Sequence, residues 1–161
     1  SRGSVVPLFE RLARDGAKEI PITDPDMTRF WITLQQGVDF VISSLDNMQG
    51  GEIFVPKIPS MNIADLARAI APDLPQKVIG IRPGEKLHEV MVTEDDAPNT
   101  IQLSDRYVIE PSFQFSNRNK PAREDAKANS KPVPKGFRYA SDNNPDWLDD
   151  ARLKSLLSEP R

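Results

Sequence analysis

One arginine stands where the sequence could hold an anion. Arg82 follows a β-branched stretch, Lys77–Ile81, that we expect to form a short buried strand, and it precedes Pro83 and Gly84. Proline fixes φ and glycine accepts backbone angles that other residues resist, so the chain turns directly after the arginine. An arginine presented in this way can bind a phosphate or carboxylate through its planar fork. An ion pair with a nearby glutamate is the other interpretation, because surface ion pairs are common.

Two further residues could take part in the same chemistry. Arg29 lies between apolar neighbours in Met27–Ile32, an extended piece by its sequence, so its charged head must reach a polar partner or water. His88 falls within Glu85–Met91, which can restart as a helix, and histidine titrates near neutral pH. A structural role and a general-base role both stay open for it. The residues alone therefore indicate an anion-binding module with Arg29 and Arg82 as candidate clamps.

Apolar periodicity and helix caps predict the elements that must position these residues. Helices are expected from Ser4, as N-cap, to Gly16, from about Thr33 to Met48, from a cap at Ser60 or Asn62 to Pro72, and over the last residues around Leu153–Leu157. Strands are expected at Ile20–Thr23, Glu52–Lys57, Thr100–Leu103 and Tyr107–Ile109. The second helix carries an apolar stripe that we expect to be buried, formed by Leu34, Val38, Val41, Leu45 and Met48. Strands alternating with helices indicate an α/β fold.

Three parts follow from the changes in composition along the chain. Residues 1–110 form an α/β lobe, residues 111–136 a basic, proline-bearing loop, and residues 137–161 a terminal segment whose short helix packs back on the lobe. A solvated loop and a lid that covers a phosphate are the two interpretations of the basic segment.

Composition excludes several classes of function. The chain has 161 residues, a net charge of −3, no cysteine and one histidine. The length is that of a single domain. Without cysteine and with one histidine, the chain can form no disulfide and no thiolate or multi-histidine metal site. The slightly negative charge does not favour nucleic acid as a partner. No apolar run approaches the ~20 residues of a membrane span, so this segment predicts no membrane contact. No Gly-x-Gly-x-x-Gly turn and no Tyr-x-x-x-Lys pair occur, which leaves no dinucleotide-binding turn here.

Several longer motifs resemble one enzyme family. They are Met-Thr-Arg-Phe-Trp-Ile-Thr-Leu around Arg29, Ile-Arg-Pro-Gly-Glu-Lys-Leu-His-Glu around Arg82, and the segments Ser1–Pro7, Ile53–Met61 and Tyr139–Leu148. Together they span nearly the whole chain. The chain resembles the C-terminal, substrate-binding half of the nucleotide-sugar dehydratases in the extended short-chain dehydrogenase/reductase family. Within that family it is most similar to the inverting, 5-epimerising UDP-N-acetylglucosamine 4,6-dehydratases that open the pseudaminic acid pathway.

The resemblance implies a set of residues that bind a UDP-sugar. Two arginines would hold the diphosphate and ribose, a helix N-terminus would offer backbone donors to the diphosphate, an extended piece would lie against the uracil, and an acidic residue would meet the ribose. In that order the residues are Arg29 and Arg82, Ser4 and Val5, Thr23, and Glu85.

The resemblance also implies what this chain does not supply. The NADP site and the catalytic residues of the family lie in an N-terminal Rossmann half, so no catalytic residue is assigned here, and the chain alone is expected to be inactive. The complete enzyme would be cytoplasmic and a homo-oligomer. It would oxidise the sugar at C4, remove water across C5 and C6, and invert C5. Because two halves of one fold share a core, the surface that the other half covers should be apolar and exposed.

Two alternatives remain at this point. The first is the retaining branch of the same dehydratases, often membrane-anchored, whose counterpart of Lys86–Glu89 more usually carries tyrosine in place of His88. The second is a non-catalytic module that binds sugar nucleotides or serves assembly and is complete as it stands. Upstream sequence with a glycine-rich turn and a Tyr-x-x-x-Lys pair would indicate the enzyme.

Overall fold

The computed structural model describes residues 5–112 and 130–158, and within them the predicted α/β class is confirmed. The helices are α1 (Val5–Arg14), α2 (Leu34–Asn47), α3 (Ile63–Ile70) and α4 (Asp150–Ser158), with a 3-10 turn at Ala97–Asn99. The strands are β1 (Ile20–Ile22), β2 (Thr28–Phe30), β3 (Ile53–Pro56), β4 (Ser60–Asn62), β5 (Gln76–Val78), β6 (Val90–Val92), β7 (Thr100–Gln102), β8 (Arg106–Ile109), β9 (Lys131–Pro132) and β10 (Tyr139–Ala140). Ser4 and residues 113–129 of the predicted basic loop lie outside this description.

The chain forms two compact units. The first contains Ser1–Trp31, Pro59–Glu89 and Asn144–Arg161, and the second contains Ile32–Ile58 and Val90–Asn143. In the first unit β1 pairs with β5 in parallel, and β2 pairs with β4 antiparallel. In the second unit the strand order is β3-β8-β7-β9, all antiparallel, and β10 pairs with β6.

Helix α3 lies at the centre of the first unit's core. Its N-terminus is capped by Asn62, whose Oδ1 accepts a hydrogen bond from the Ala64 N–H at 2.7 Å, and its face buries Leu66 completely. Apolar side chains of α1, β1 and α4 pack on the same core, among them Phe9, Ile20 and Leu153. Each such side chain contributes roughly 1.5–3 kcal/mol when it is fully buried. Since α3 joins β4 directly and β5 through a short loop, its burial fixes both two-stranded sheets of this unit.

The core of the second unit lies under its four-stranded sheet. Val55 of β3 and the neighbouring Tyr107 and Val108 of β8 are buried. The Tyr107 ring contacts the rings of Phe137 and Tyr139 at centroid distances of 5.0 and 4.9 Å. Burial raises the pKa of Tyr107.

Three sequence-based predictions about burial and helix formation are wrong. The stripe on α2 is exposed rather than buried. Its five residues are between 42 and 86% exposed, and α2 has no buried side chain. The strand at Lys77–Ile81 is shorter, Gln76–Val78, and Ile79 and Ile81 are exposed rather than buried. Glu85–Met91 contains a bend at Leu87–His88 and the start of β6 instead of a helix.

The structure also shows which residues begin and end the helices. Asn62, and not Ser60, caps α3, because Ser60 belongs to β4. Helix α2 begins after a capping box in which Thr33 and Gln36 bond reciprocally. Gly16 ends α1 with a φ of +72°, which an L side chain rarely adopts. No helix within the described residues is long and apolar enough to cross a membrane.

A buried arginine attaches α2 to the sheet of the second unit. Arg106 on β8 is 7% exposed, and its guanidinium donates to Ser43 Oγ at 2.7 Å and to Ser44 Oγ at 3.1 Å. It also lies over the Phe40 ring, 4.7 Å from the centroid. Hydrogen bonds from Arg106 hold the pKa of Asp105 below its usual range. The sequence carried no signal for this arrangement, because Arg106 and the two serines are more than sixty residues apart.

We predict that Arg106→Met loosens α2 and lowers the free energy of unfolding by about 1.5–3 kcal/mol, the usual contribution of a hydrogen bond to a charged group. Urea denaturation followed by circular dichroism measures this change. The matched control is Arg68→Ala, which removes an exposed ion pair with Asp65 on α3 and should cost under about 1 kcal/mol. Equal losses for the two variants would show that Arg106 does not hold the helix.

Candidate functional site

The candidate site lies in the first unit, where the parallel strands β1 and β5 end side by side. Beyond the last ladder pair the backbone pairing continues, because the Ile79 N–H donates to Ile22 O at 2.9 Å and the Gly80 N–H to Thr23 O at 3.1 Å. Thr23 therefore lies next to the start of the segment that carries Arg82. Carboxyl ends of parallel strands are a common place for ligands in α/β proteins.

A tight turn, Arg82–Glu85, follows at once. The Glu85 N–H donates to Arg82 O at 3.0 Å, and Glu85 Oε2 accepts from the Arg82 N–H at 3.2 Å, so the glutamate side chain closes its own turn. Gly84 adopts a φ of +82°, and this left-handed conformation explains why glycine stands there. The turn holds the backbone of Arg82 in place.

The side chain of Arg82 is exposed. It forms no ion pair with any residue of the described chain, although Glu85 is only three residues away. Instead, the Glu85 carboxylate is engaged by the backbone of the turn. The backbone of Arg82 is held by the turn, while its guanidinium is exposed to solvent. The N–H donors of the guanidinium can therefore bind an oxyanion.

Arg29 on β2 is placed differently. Its Nη1 donates to Thr28 O at 2.7 Å and to Leu87 O at 3.0 Å, and its Nη2 donates to Lys86 O at 2.8 Å. Its Nε lies 3.8 Å from Glu89 Oε1. The expectation that this half-buried head needs polar partners is confirmed, and the partners are mainly backbone carbonyls.

The rest of β2 also contacts the segment after the turn. The Thr28 N–H donates to Leu87 O at 3.1 Å, Thr28 Oγ1 lies 2.8 Å from His88 Nδ1, and the Phe30 N–H donates to Glu89 Oε2 at 2.8 Å. His88 is therefore not on a helix, as the sequence suggested, but in a bend at Leu87–His88, where it is bonded to a threonine. This contact indicates a structural role for it.

The predicted site residues fall into three groups. Arg82 and Glu85 share one turn, Thr23 pairs through its backbone with Gly80 just before that turn, and Arg29 reaches the residues that follow it. Val5 is half-buried at the start of α1, and among the described residues no hydrogen bond or ion pair joins it to the turn. Ser4 lies outside the described residues.

Sequence reasoning missed the part played by Glu89. Its carboxylate bonds the backbone of Phe30 and faces Arg29, sixty residues away along the chain. A single sequence contains no periodicity or spacing that links such distant positions. Only the presence of Glu89 in the long motif around Arg82 could have drawn attention to it.

The arrangement can bind an anion. No group of three or more histidine, aspartate or glutamate side chains in the described parts of the chain could hold a metal ion. The functional groups near the turn are the guanidinium of Arg82, the carboxylate of Glu85 and the hydroxyl of Thr23. These groups suit a ligand that carries phosphate and hydroxyls together.

Comparison with known proteins adds a second line of observation. A family model described as "Polysaccharide biosynthesis protein" matches residues 1–111. The inverting UDP-N-acetylglucosamine 4,6-dehydratase of Campylobacter jejuni is 51% identical over 98% of this chain and 48% of its own length. The UDP-glucose 4-epimerase of Rickettsia canadensis is 41% identical over 68% of this chain and 33% of its own length.

A solved structure extends the similarity to the fold. The X-ray structure of Pen from Bacillus thuringiensis superposes with a TM-score of 0.77 at 30% identity, over 98% of this chain and 46% of that one. The chain thus spans about half the length of the dehydratase and of the solved structure that it matches.

Proposed function

Because the chain belongs to the polysaccharide biosynthesis protein family, we propose that it is the UDP-sugar-binding part of a nucleotide-sugar dehydratase. The complete cytoplasmic protein would convert UDP-N-acetylglucosamine into a 4-keto-6-deoxy sugar nucleotide with inversion at C5, as the first step towards pseudaminic acid. The observation that carries this proposal is the 51% identity to an inverting dehydratase along 98% of the chain.

The family resemblance suggests a role for each residue of the site, and the geometry supports some of these roles. Arg82 binds the diphosphate, since its exposed guanidinium has a fixed base and no ion pair among the described residues. Thr23 pairs with Gly80 just before the turn that contains Glu85, and we assign Thr23 and Glu85 to the uridine. Val5, the first residue of α1, and Ser4, which lies outside the described residues, are proposed from the family resemblance as backbone donors to the diphosphate.

The cofactor belongs to another part of the complete protein. NADP would supply the hydride acceptor, but this chain has no glycine-rich turn, and no such turn follows β1 or β5. The described residues therefore do not fit a dinucleotide, and we assign its site, with the catalytic acid and base, to the half of the relatives that this chain does not match.

We further propose that the exposed face of α2 is covered by that same half. The stripe repeats at helical spacing, as a buried face does, yet α2 has no buried side chain. Next to it Phe40, Leu45, Met48 and Phe54 line a largely apolar groove of about 250 Å³. The dehydratase relative has roughly as much chain again beyond the matched part, which is enough to bury the whole stripe.

The reaction itself is tested with a joined protein, made by fusing this chain to the half of the Campylobacter jejuni dehydratase that it does not match. We expect the joined protein to convert UDP-N-acetylglucosamine and to yield a product with C5 inverted, observed by NMR. Retention at C5 would place the chain in the retaining branch. A joined protein that folds and binds UDP without turnover would favour the non-catalytic module.

We predict that Arg82→Ala weakens UDP binding by the joined protein roughly ten- to 150-fold, because a hydrogen bond to a charged group contributes about 1.5–3 kcal/mol. Arg82→Lys should recover only part of this loss, since an ammonium group lacks the planar fork. Titration calorimetry measures the affinities, with Arg68→Ala as the control that removes an exposed cation elsewhere in the same unit. If Arg82→Ala binds UDP as the parent does, the diphosphate assignment is wrong.

For the α2 face we predict that Leu45→Lys destabilises the joined protein by at least about 1.5–3 kcal/mol, the value of burying one leucine side chain. In the chain by itself the same change should cost much less, since Leu45 is exposed there. Gln35→Lys on the polar side of α2 is the matched control. Denaturant unfolding measures all four proteins.

Two outcomes would contradict the α2 proposal. In the first, Leu45→Lys and Gln35→Lys destabilise the joined protein equally. In the second, Leu45→Lys leaves the joined protein intact but dissociates an oligomer of it, which would show that a second copy covers the face.

A further inference from the structure

Helix α2 turns towards its sheet a different side from the one that its apolar pattern predicts. Resting on the proposal that the other half of the complete protein covers the stripe, we infer that Arg106 is a positioning residue for this interface. It holds the serine side of α2 against the sheet and thereby keeps the apolar stripe outside, where the other half can dock on it.

The first argument is which side chains of α2 are partly buried. They are small or polar, apart from one phenylalanine, and every other residue of α2 is exposed: Gly37, Phe40, Ser43 and Ser44 form the partly buried set. Their spacing places them on one side of the helix. A helix that packs on a sheet normally buries its apolar stripe instead. Something other than apolar burial therefore sets the orientation of α2.

The second argument is the set of bonds that hold this side. Arg106 donates to Ser43 Oγ and Ser44 Oγ, and Asp105 Oδ2 accepts from Arg106 Nη2 at 2.7 Å. Both hydroxyls donate to Phe40 O, at 3.1 Å from Ser43 and 2.7 Å from Ser44, so their oxygens stay available as acceptors. A buried guanidinium that lost such acceptors would be costly. The charge of Arg106 therefore favours the serine side.

The third argument is that the sheet could otherwise receive the stripe. Phe54 of β3 is paired with Val108 of β8, and Arg106 lies two residues from Val108, so the three side chains lie on one face of the sheet. The Arg106 guanidinium lies 5.9 Å from the centroid of the Phe54 ring. The apolar groove described above is lined by Phe54 and by Leu45 of the stripe. Apolar surface and space for a turned α2 are thus present, and without the buried charge apolar burial would favour that turn.

For the complete protein the result is a docking face that is oriented before docking. An interface that is ordered in advance loses less conformational freedom when its partner binds. Arg106 therefore acts on the interface from the opposite side of α2, without contacting the other half itself.

Thiol labelling tests this role directly. The chain has no cysteine, so one introduced thiol reports the exposure of its own position. Leu45→Cys reports the stripe, and Gln35→Cys on the polar side of α2 is the matched control. In the chain itself, Arg106→Met should slow the alkylation of Leu45→Cys by iodoacetamide at least about fivefold, because the turned helix buries position 45. The rate for Gln35→Cys should not change.

A purely stabilising role predicts another result. If Arg106 only holds α2 down, its loss speeds up alkylation at both positions or at neither, and the loss of stability predicted above occurs under both interpretations. Any outcome without a selective slowing of Leu45→Cys overturns the inference. If Arg106→Met does not fold, the double variant Ser43→Ala with Ser44→Ala removes the two acceptors on α2 and is judged by the same criterion.

The same thiols in the joined protein test the covering of the stripe separately. If the other half covers it, Leu45→Cys reacts at least about fivefold more slowly in the joined protein than in the chain itself, while Gln35→Cys reacts alike in both. Equal rates for Leu45→Cys refute the covering, and the chain itself then decides whether Arg106 orients α2. Slowing in the joined protein, without slowing by Arg106→Met in the chain, supports the covering and removes only the role of Arg106.

Discussion

The burial of α3 is the constraint on which the first unit depends. Its sheets join strands that are far apart in sequence, since β1 pairs with β5 and β2 with β4. Closing such loops costs chain entropy that a three-residue ladder does not offset. Because α3 lies between β4 and β5 in the chain and buries Leu66 and Ala67, seating this one helix brings both strands to their partners. The position of the Arg82 turn follows from the same packing.

Local features of the fold could be predicted from the sequence, and the reasons are physical. Apolar residues at helical spacing indicate helices α1, α2 and α3. Thr33 and Asn62 are typical cap residues and mark the starts of α2 and α3. The β7–β8 hairpin follows from alternation around a turn at Ser104. These signals depend on neighbours within a few residues, which is all that a single sequence shows directly.

Burial and long-range contacts could not be predicted, because they depend on what covers a face. The stripe on α2 was predicted correctly as a periodic pattern and wrongly as a buried one. Glu85, Lys86 and Leu87 are good helix formers, yet they form no helix, and Arg29 on β2 bonds the carbonyls of Lys86 and Leu87. Of the candidate site, the turn and its arginine were accessible to sequence reasoning. The partners of Arg29, above all Glu89, were not.

The Arg82 turn is fixed at both ends, so the residues between these ends can be exchanged as one segment. One end is fixed by the bond from the Gly80 N–H to Thr23 O and the other by the hold of Arg29 on Lys86 O, while residues 80–84 between them are exposed. A related enzyme's residues could therefore be grafted between these two points without touching the core. In the course of divergence, the same junctions would let the exposed residues 80–84 change while the scaffold stays as it is.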